Sequence, residues 1–228
     1  MTTGAEIVGV YTGQPESLWD GRDPSAIRKS PTGDRVEVTE TGIIGDRQAD
    51  LAVHGGPDKA LHIYPSEHYA HWRGVFPEHA QMYRPGGFGE NISCEGFSEE
   101  DLCIGDIFDL GTARVQISQG RQPCWKLNMH TGNPAQAAAF QKTGMTGWYF
   151  RVLEPGRFQA GDRISLSGRP CPDWTLRDVI LARFNTGLDP AVARALSELA
   201  ELASPWRTAF ARKAESGYSE DTAKRLEG

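Results

Sequence analysis

The sequence predicts a mainly β protein with some α, a barrel or sandwich of short strands followed by a small unit of three helices. Three observations carry this reading. Short runs of alternating apolar residues recur between turns drawn from 26 Gly and 14 Pro. Before residue 167 the helical segments are few and brief. At about Ser167 to Asp173 the composition shifts, and three helical stripes follow, each opened by a credible cap. Residues 1–168 are therefore assigned to the β unit and 169–228 to the helical one.

In chain order, Glu6 to Thr12 is a strand carrying Ile7, Val8 and Val10, ended by Gly13 and Pro15. Gln14 to Pro31 is an irregular connection with a basic spot at Arg28-Lys29. Val36 to Glu40 is a second strand, leading into Gly42-Ile43-Ile44-Gly45-Asp46, where two glycines bracket an apolar pair as at a tight turn. The polar block His54 to His62 joins Gly55-Gly56, whose backbone N–H groups can approach an anion, to Lys59, which can neutralise one. Pro65-Ser66-Glu67 opens a helix through Trp72, with His68 and His71 on one face. A metal site among these histidines, His54 and His62 competes with the simpler reading of partly exposed side chains, since no zinc frame is present.

Tyr83 to Asn91 is a glycine-rich loop around Phe88, suited to close approach by a flat ligand or another backbone. Gly105 to Leu110 and Ala113 to Ile117 form a hairpin about Gly111. Asn133-Pro134 caps a helix over Ala135 to Lys142, stopped by Gly144. Trp148 to Leu153 and Gly161 to Leu166 are strands on either side of a Pro155-Gly156 turn. The tail helices are Thr175 to Arg183, Asp189-Pro190 to Leu202 and Ser204-Pro205 to Lys213. Alone they can bury little, so they should pack on the barrel or on a second copy, which makes a homodimer an expectation. The polar stretch from Gly217 is expected to fray.

Composition excludes several classes. Lys plus Arg number 24 against 30 Asp plus Glu, a net charge of −6, which draws the molecule to neither a phosphate backbone nor an anionic membrane. No basic and apolar leader or long apolar span appears, so a cytoplasmic protein is expected. The four cysteines, at 94, 103, 124 and 171, have no metal-cluster spacing and read as free thiols. There is no G-x-G-x-x-G fingerprint on a strand-helix unit and no iron–sulfur pattern.

The stretch that draws chemistry is Ser118 to Asn128, S-Q-G-R-Q-P-C-W-K-L-N. It places Cys124 between Arg121 and Lys126, where cations favour the thiolate that attacks electrophiles or binds metals. The bland alternative is a small buried hydrophobe. A metal-free nucleophile would further need a base such as His54 or His130 brought near by the fold.

Taken together with H-G-G-P-D-K-A-L (His54 to Leu61), G-F-G-E-N (Gly87 to Asn91) and P-G-x-x-x-x-G-D (Pro155 to Asp162), this stretch resembles the MOSC family, named after the C-terminal domain of molybdenum cofactor sulfurase. It is most similar to the YiiM-type branch, in which a MOSC-type β-barrel of mixed strands precedes three helices. The resemblance implies that Cys124 is both the catalytic centre and the protein ligand to molybdenum in a pyranopterin cofactor. A soft thiolate suits a metal held mainly by the cofactor's own sulfurs. The cofactor's phosphate would fall to Lys29, Lys59, Arg121 and the Gly55-Gly56 backbone, with His54, Gly89, Asn91 and Ser118 completing the expected cofactor-binding set. The implied reaction is reduction of N-hydroxylated purine bases or amidoximes, with electrons from an external reductase, a flavoprotein. The rival from another class is a carrier of cofactor or sulfur without turnover of its own.

Overall fold

The computed structural model describes residues 4–50, 54–215 and 225–226. Strands and α-helices are numbered in chain order. β1 (Gly4–Thr12), β2 (Ser30–Pro31), β3 (Val36–Thr39) and β4 (Gly42–Ile43) come first, then β5 (Leu61–Pro65), α1 (His68–Val75) and β6 (Ile92–Glu95). The hairpin β7 (Ile107–Leu110) and β8 (Ala113–Gly120) is followed by α2 (Trp125–Thr131) and α3 (Gln136–Thr143). β9 (Trp148–Glu154), β10 (Gly156–Phe158) and β11 (Arg163–Gly168) precede α4 (Leu176–Phe184), α5 (Pro190–Glu198) and α6 (Ser204–Lys213).

Seven strands close into a barrel in the order β1, β6, β5, β9, β8, β7, β11 and back to β1. Every pair is antiparallel except β5 with β6, which makes the sheet mixed. A separate three-stranded sheet joins β3, β4 and β10. Ile7, Leu61, Phe108, Val115 and Phe150 fill the barrel and are at most 1% exposed. Burying each such side chain contributes about 1.5 to 3 kcal/mol.

A parallel pair needs a crossover, supplied here by α1, a 3-10 turn at Pro77–Met82 and the glycine-rich loop. That loop is held by Glu90, a fully buried carboxylate. It accepts hydrogen bonds from Tyr69 Oη at 2.6 Å, Gly86 N at 2.6 Å, Phe88 N at 3.1 Å and Ser93 Oγ at 2.7 Å. Around it, Tyr64, Tyr69, Trp72, Tyr83, Phe88 and Phe140 form a second, aromatic core under α1, α2 and α3.

The three tail helices share the barrel's hydrophobic cluster, through Leu176, Val179, Ile180, Leu196, Trp206 and Phe210. The apolar stripe offered to barrel or partner thus lies on the barrel. Thr175 caps α4 by accepting from Asp178 N, as the capping-box spacing predicts. The second tail helix ends at Glu198, four residues short of the expected Leu202. The polar tail from Gly217 lies largely outside the described residues. No described helix is long and apolar enough to cross a membrane.

Candidate functional site

The end of β8 delivers the cysteine loop, and the tail helices fix where that end lies. A Cβ on Gly120 would stand 2.3 Å from Ile180 Cγ1 and 3.1 Å from the Trp206 ring, so α4 and α6 press directly on the strand's last residue. Arg121 N then donates to Gly147 O at 3.0 Å, and Leu127 N donates to Cys124 O at 2.9 Å as α2 begins. Of the four free cysteines, Cys124 alone is half-buried. The others are sealed, and burial raises their thiols, Cys94 well above the ordinary range and Cys171 to about 12, where Glu201 adds to the effect. The small-hydrophobe reading therefore suits those three and not Cys124.

Cys124 opens onto a pocket built from six separate stretches of chain. Five cations line it, Lys29, Arg47, Lys59, Arg121 and Lys126, with no carboxylate among the described lining residues. In a protein of net charge −6 this concentration favours an anionic occupant. His54 Nε2 lies 4.0 Å from Cys124 Sγ. Burial, then Lys126 and Lys59, push the His54 imidazole down to about 4, so it is neutral at physiological pH. His62 is buried and likewise held well below its ordinary value, by burial and then Arg121. Its Nε2 has no hydrogen-bond partner among the described residues.

Of the residues expected from sequence, Cys124, Lys29, His54, Lys59, Gly89, Asn91 and Arg121 come together in this pocket. Gly89 has φ +77, and a Cβ there would meet Ile27 O at 2.8 Å, so only glycine admits the close approach of the 26–29 segment. Ser118, Gly55 and Gly56 do not line the pocket. Ser118 is buried, its hydroxyl within reach of Asp58 O at 2.5 Å and Tyr149 O at 3.1 Å, which ties the turn after His54 to the barrel wall.

Several of the assembled residues are already engaged. Lys29 Nζ sits 2.5 Å from Asp46 Oδ1, both side chains nearly sealed. Asn91 donates to Asp46 Oδ2 at 2.9 Å and Tyr11 O at 3.2 Å and accepts from His62 N at 3.1 Å, so its amide joins β1, β5 and the 46-loop. Arg121 donates to Phe88 O at 2.7 Å and Lys126 to Pro24 O at 3.1 Å.

Sequence reasoning missed Arg47, His62 and Tyr149 as lining residues and used Lys126 only as a neighbour of the thiol. No local signal marked Arg47, and Tyr149 reaches the site through the pairing of β5 with β9, which sets it opposite His62. The four histidines weighed as a metal set are split. His68 pairs with Glu99 at 2.7 Å, and His71 lies against Trp72. Among the described residues no group of three or more His, Cys, Asp or Glu could hold a metal ion.

A cofactor that brings its own sulfur ligands and an anionic phosphate fits this donor set. It needs one protein thiol and several cations, with no carboxylate among the described lining residues to repel it, and these are present.

Comparison with known proteins follows the same lines. The MOSC domain model matches residues 50–165. Protein YiiM of Escherichia coli (strain K12) is 38% identical over 221 residues, covering 97% of this chain and 98% of that protein. A protein of Gibberella moniliformis (strain M3125 / FGSC 7600) named reductase is 39% identical over 160 residues, 70% of this chain and 28% of that protein. The crystal structure of YiiM from Escherichia coli shares the fold with a TM-score of 0.83 at 33% identity, covering 98% of this chain and 99% of that one.

Proposed function

The chain belongs to the MOSC domain family, and from that premise we propose that it is a molybdenum-cofactor-dependent reductase of N-hydroxylated compounds. The observation that carries the reading is the pocket in which a single half-buried thiol stands with five cations and no carboxylate among the described lining residues. Similarity to part of a fungal protein named reductase supports redox chemistry.

Cys124 would hold the metal as thiolate, and Lys59, Arg121, Lys126 and Arg47 would receive the phosphate. When bound, the cofactor would supply a two-electron centre for breaking an N–O bond. The balance is R–NH–OH plus two electrons and two protons giving R–NH2 and water. His54, neutral beside the sulfur, adds no charge to the cationic wall and offers Nε2 as a hydrogen-bonding atom at the Cys124 side. Lacking a nucleotide fingerprint and an iron–sulfur pattern, the chain would take electrons from an external reductase, a flavoprotein.

The test is molybdenum content by mass spectrometry after purification that preserves the cofactor, for wild type and Cys124→Ala, followed by turnover of N-hydroxylated adenine with an artificial donor. Metal in the wild type, its loss in C124A and multiple turnovers are expected. Near-zero metal in both proteins would sink the idea. Bound metal without turnover would favour a carrier.

A further inference from the structure

This inference rests on the function proposed above and deepens it. The tyrosine hydroxyls of the aromatic core are engaged: Tyr64 donates to Met145 O, Tyr69 to Glu90 and Tyr83 to Gln136. The Tyr149 hydroxyl bonds to no described residue and is not among the sealed, unpaired atoms. It belongs to the half-buried side chain that lines the pocket with Cys124 and Arg121.

Its frame is rigid. Tyr149 lies in β9 opposite His62 of β5 and Gln119 of β8, and its carbonyl oxygen is held by Ser118. Its ring packs on the His62 ring at 5.1 Å. Gln122, another uncharged donor in the pocket, sits on the irregular loop before Cys124. A donor placed by strand pairing and ring packing is pre-organised, as recognition of a small polar group requires.

From this placement we infer that Tyr149 recognises the N–OH group of the substrate by donating a hydrogen bond to its oxygen. The cations of the pocket answer to the anionic cofactor, whereas a hydroxyl is matched to a neutral oxygen. Burial pushes the Tyr149 phenol up, so it keeps its proton and remains a donor at neutral pH. The parent amine lacks that oxygen, and the contact therefore separates substrate from product.

The experiment compares wild type and Tyr149→Phe, both cofactor-loaded and oxidised, for binding of N-hydroxylated adenine and of adenine by calorimetry, with molybdenum per chain measured on the same samples. Y149F should bind the N-hydroxylated base about three- to tenfold more weakly, the effect of one lost hydrogen bond. Adenine affinity and molybdenum content should not change. Equal weakening of both ligands, no weakening of either, or loss of molybdenum in Y149F would overturn the assignment. Failure of the underlying function looks different, with wild type carrying no molybdenum and binding the two bases alike.

Discussion

Replacing Asp46 with Ala is expected to destabilise the protein far more than replacing its partner Lys29 with Met. The two side chains are 2% and 7% exposed, and the carboxylate has further duties. It accepts from Gly13 N at 2.7 Å and, through Oδ2, from Asn91 at 2.9 Å and Gln48 at 3.4 Å. Burial already pushes the Lys29 ammonium pKa down, and Asp46 offsets that only in part. D46A leaves a buried cation unpaired, which costs about 3 to 5 kcal/mol. At about 2 to 4 °C per kcal/mol for a domain of this size, melting should fall by roughly 6 to 20 °C. K29M leaves Asp46 with its three other donors, and its cost should stay near about 1 to 2 kcal/mol. Urea unfolding of wild type, both single variants and the double variant measures this, with the double variant recovering part of the D46A loss. Equal losses in the two single variants, or a D46A loss below about 1 kcal/mol, the worth of an exposed pair, would refute the reasoning.

Two further outcomes are expected. Gly120→Ala should cost about 1 to 3 kcal/mol by overpacking, and Ile180→Ala in the same protein should relieve part of it; additive losses in a double-mutant cycle would show that α4 does not press on β8. Burial, then Arg121 and Arg28, lower His130 from its ordinary 6.5 to about 4. The unfolded chain therefore takes up a proton that the folded one refuses between these values, and stability falls as pH drops through that window. His130→Gln should flatten this fall in urea midpoints between pH 7 and pH 4.5, and an unchanged slope would count against a half-buried, neutral His130.

Much of the fold was readable because it is local. The hairpin about Gly111, the helix stopped by Gly144 and the capped tail helices each follow from residues close in sequence. The barrel strands missed were β5 and β6, its one parallel pair, and outside the barrel the short β2, β4 and β10 were missed as well. All five β5 positions are buried, so no alternation marks it, and its polar-looking His62 is a core residue. The expected helix from Pro65 begins three residues later, because Pro65 still belongs to β5.

By itself the sequence determined the β-rich class and the family and singled out Cys124 as the candidate centre, since these rest on local turn chemistry and four short motifs in order. Only the tertiary structure decided who stands around that thiol. Barrel closure sets β5 beside β9 and so places Tyr149 in the pocket, while the 46-loop engages Lys29 and Asn91. It also turns Ser118 away from the site towards Asp58. The physical reason is that a side chain's partners are set by packing between segments tens of residues apart, and no local propensity encodes which strand will lie alongside.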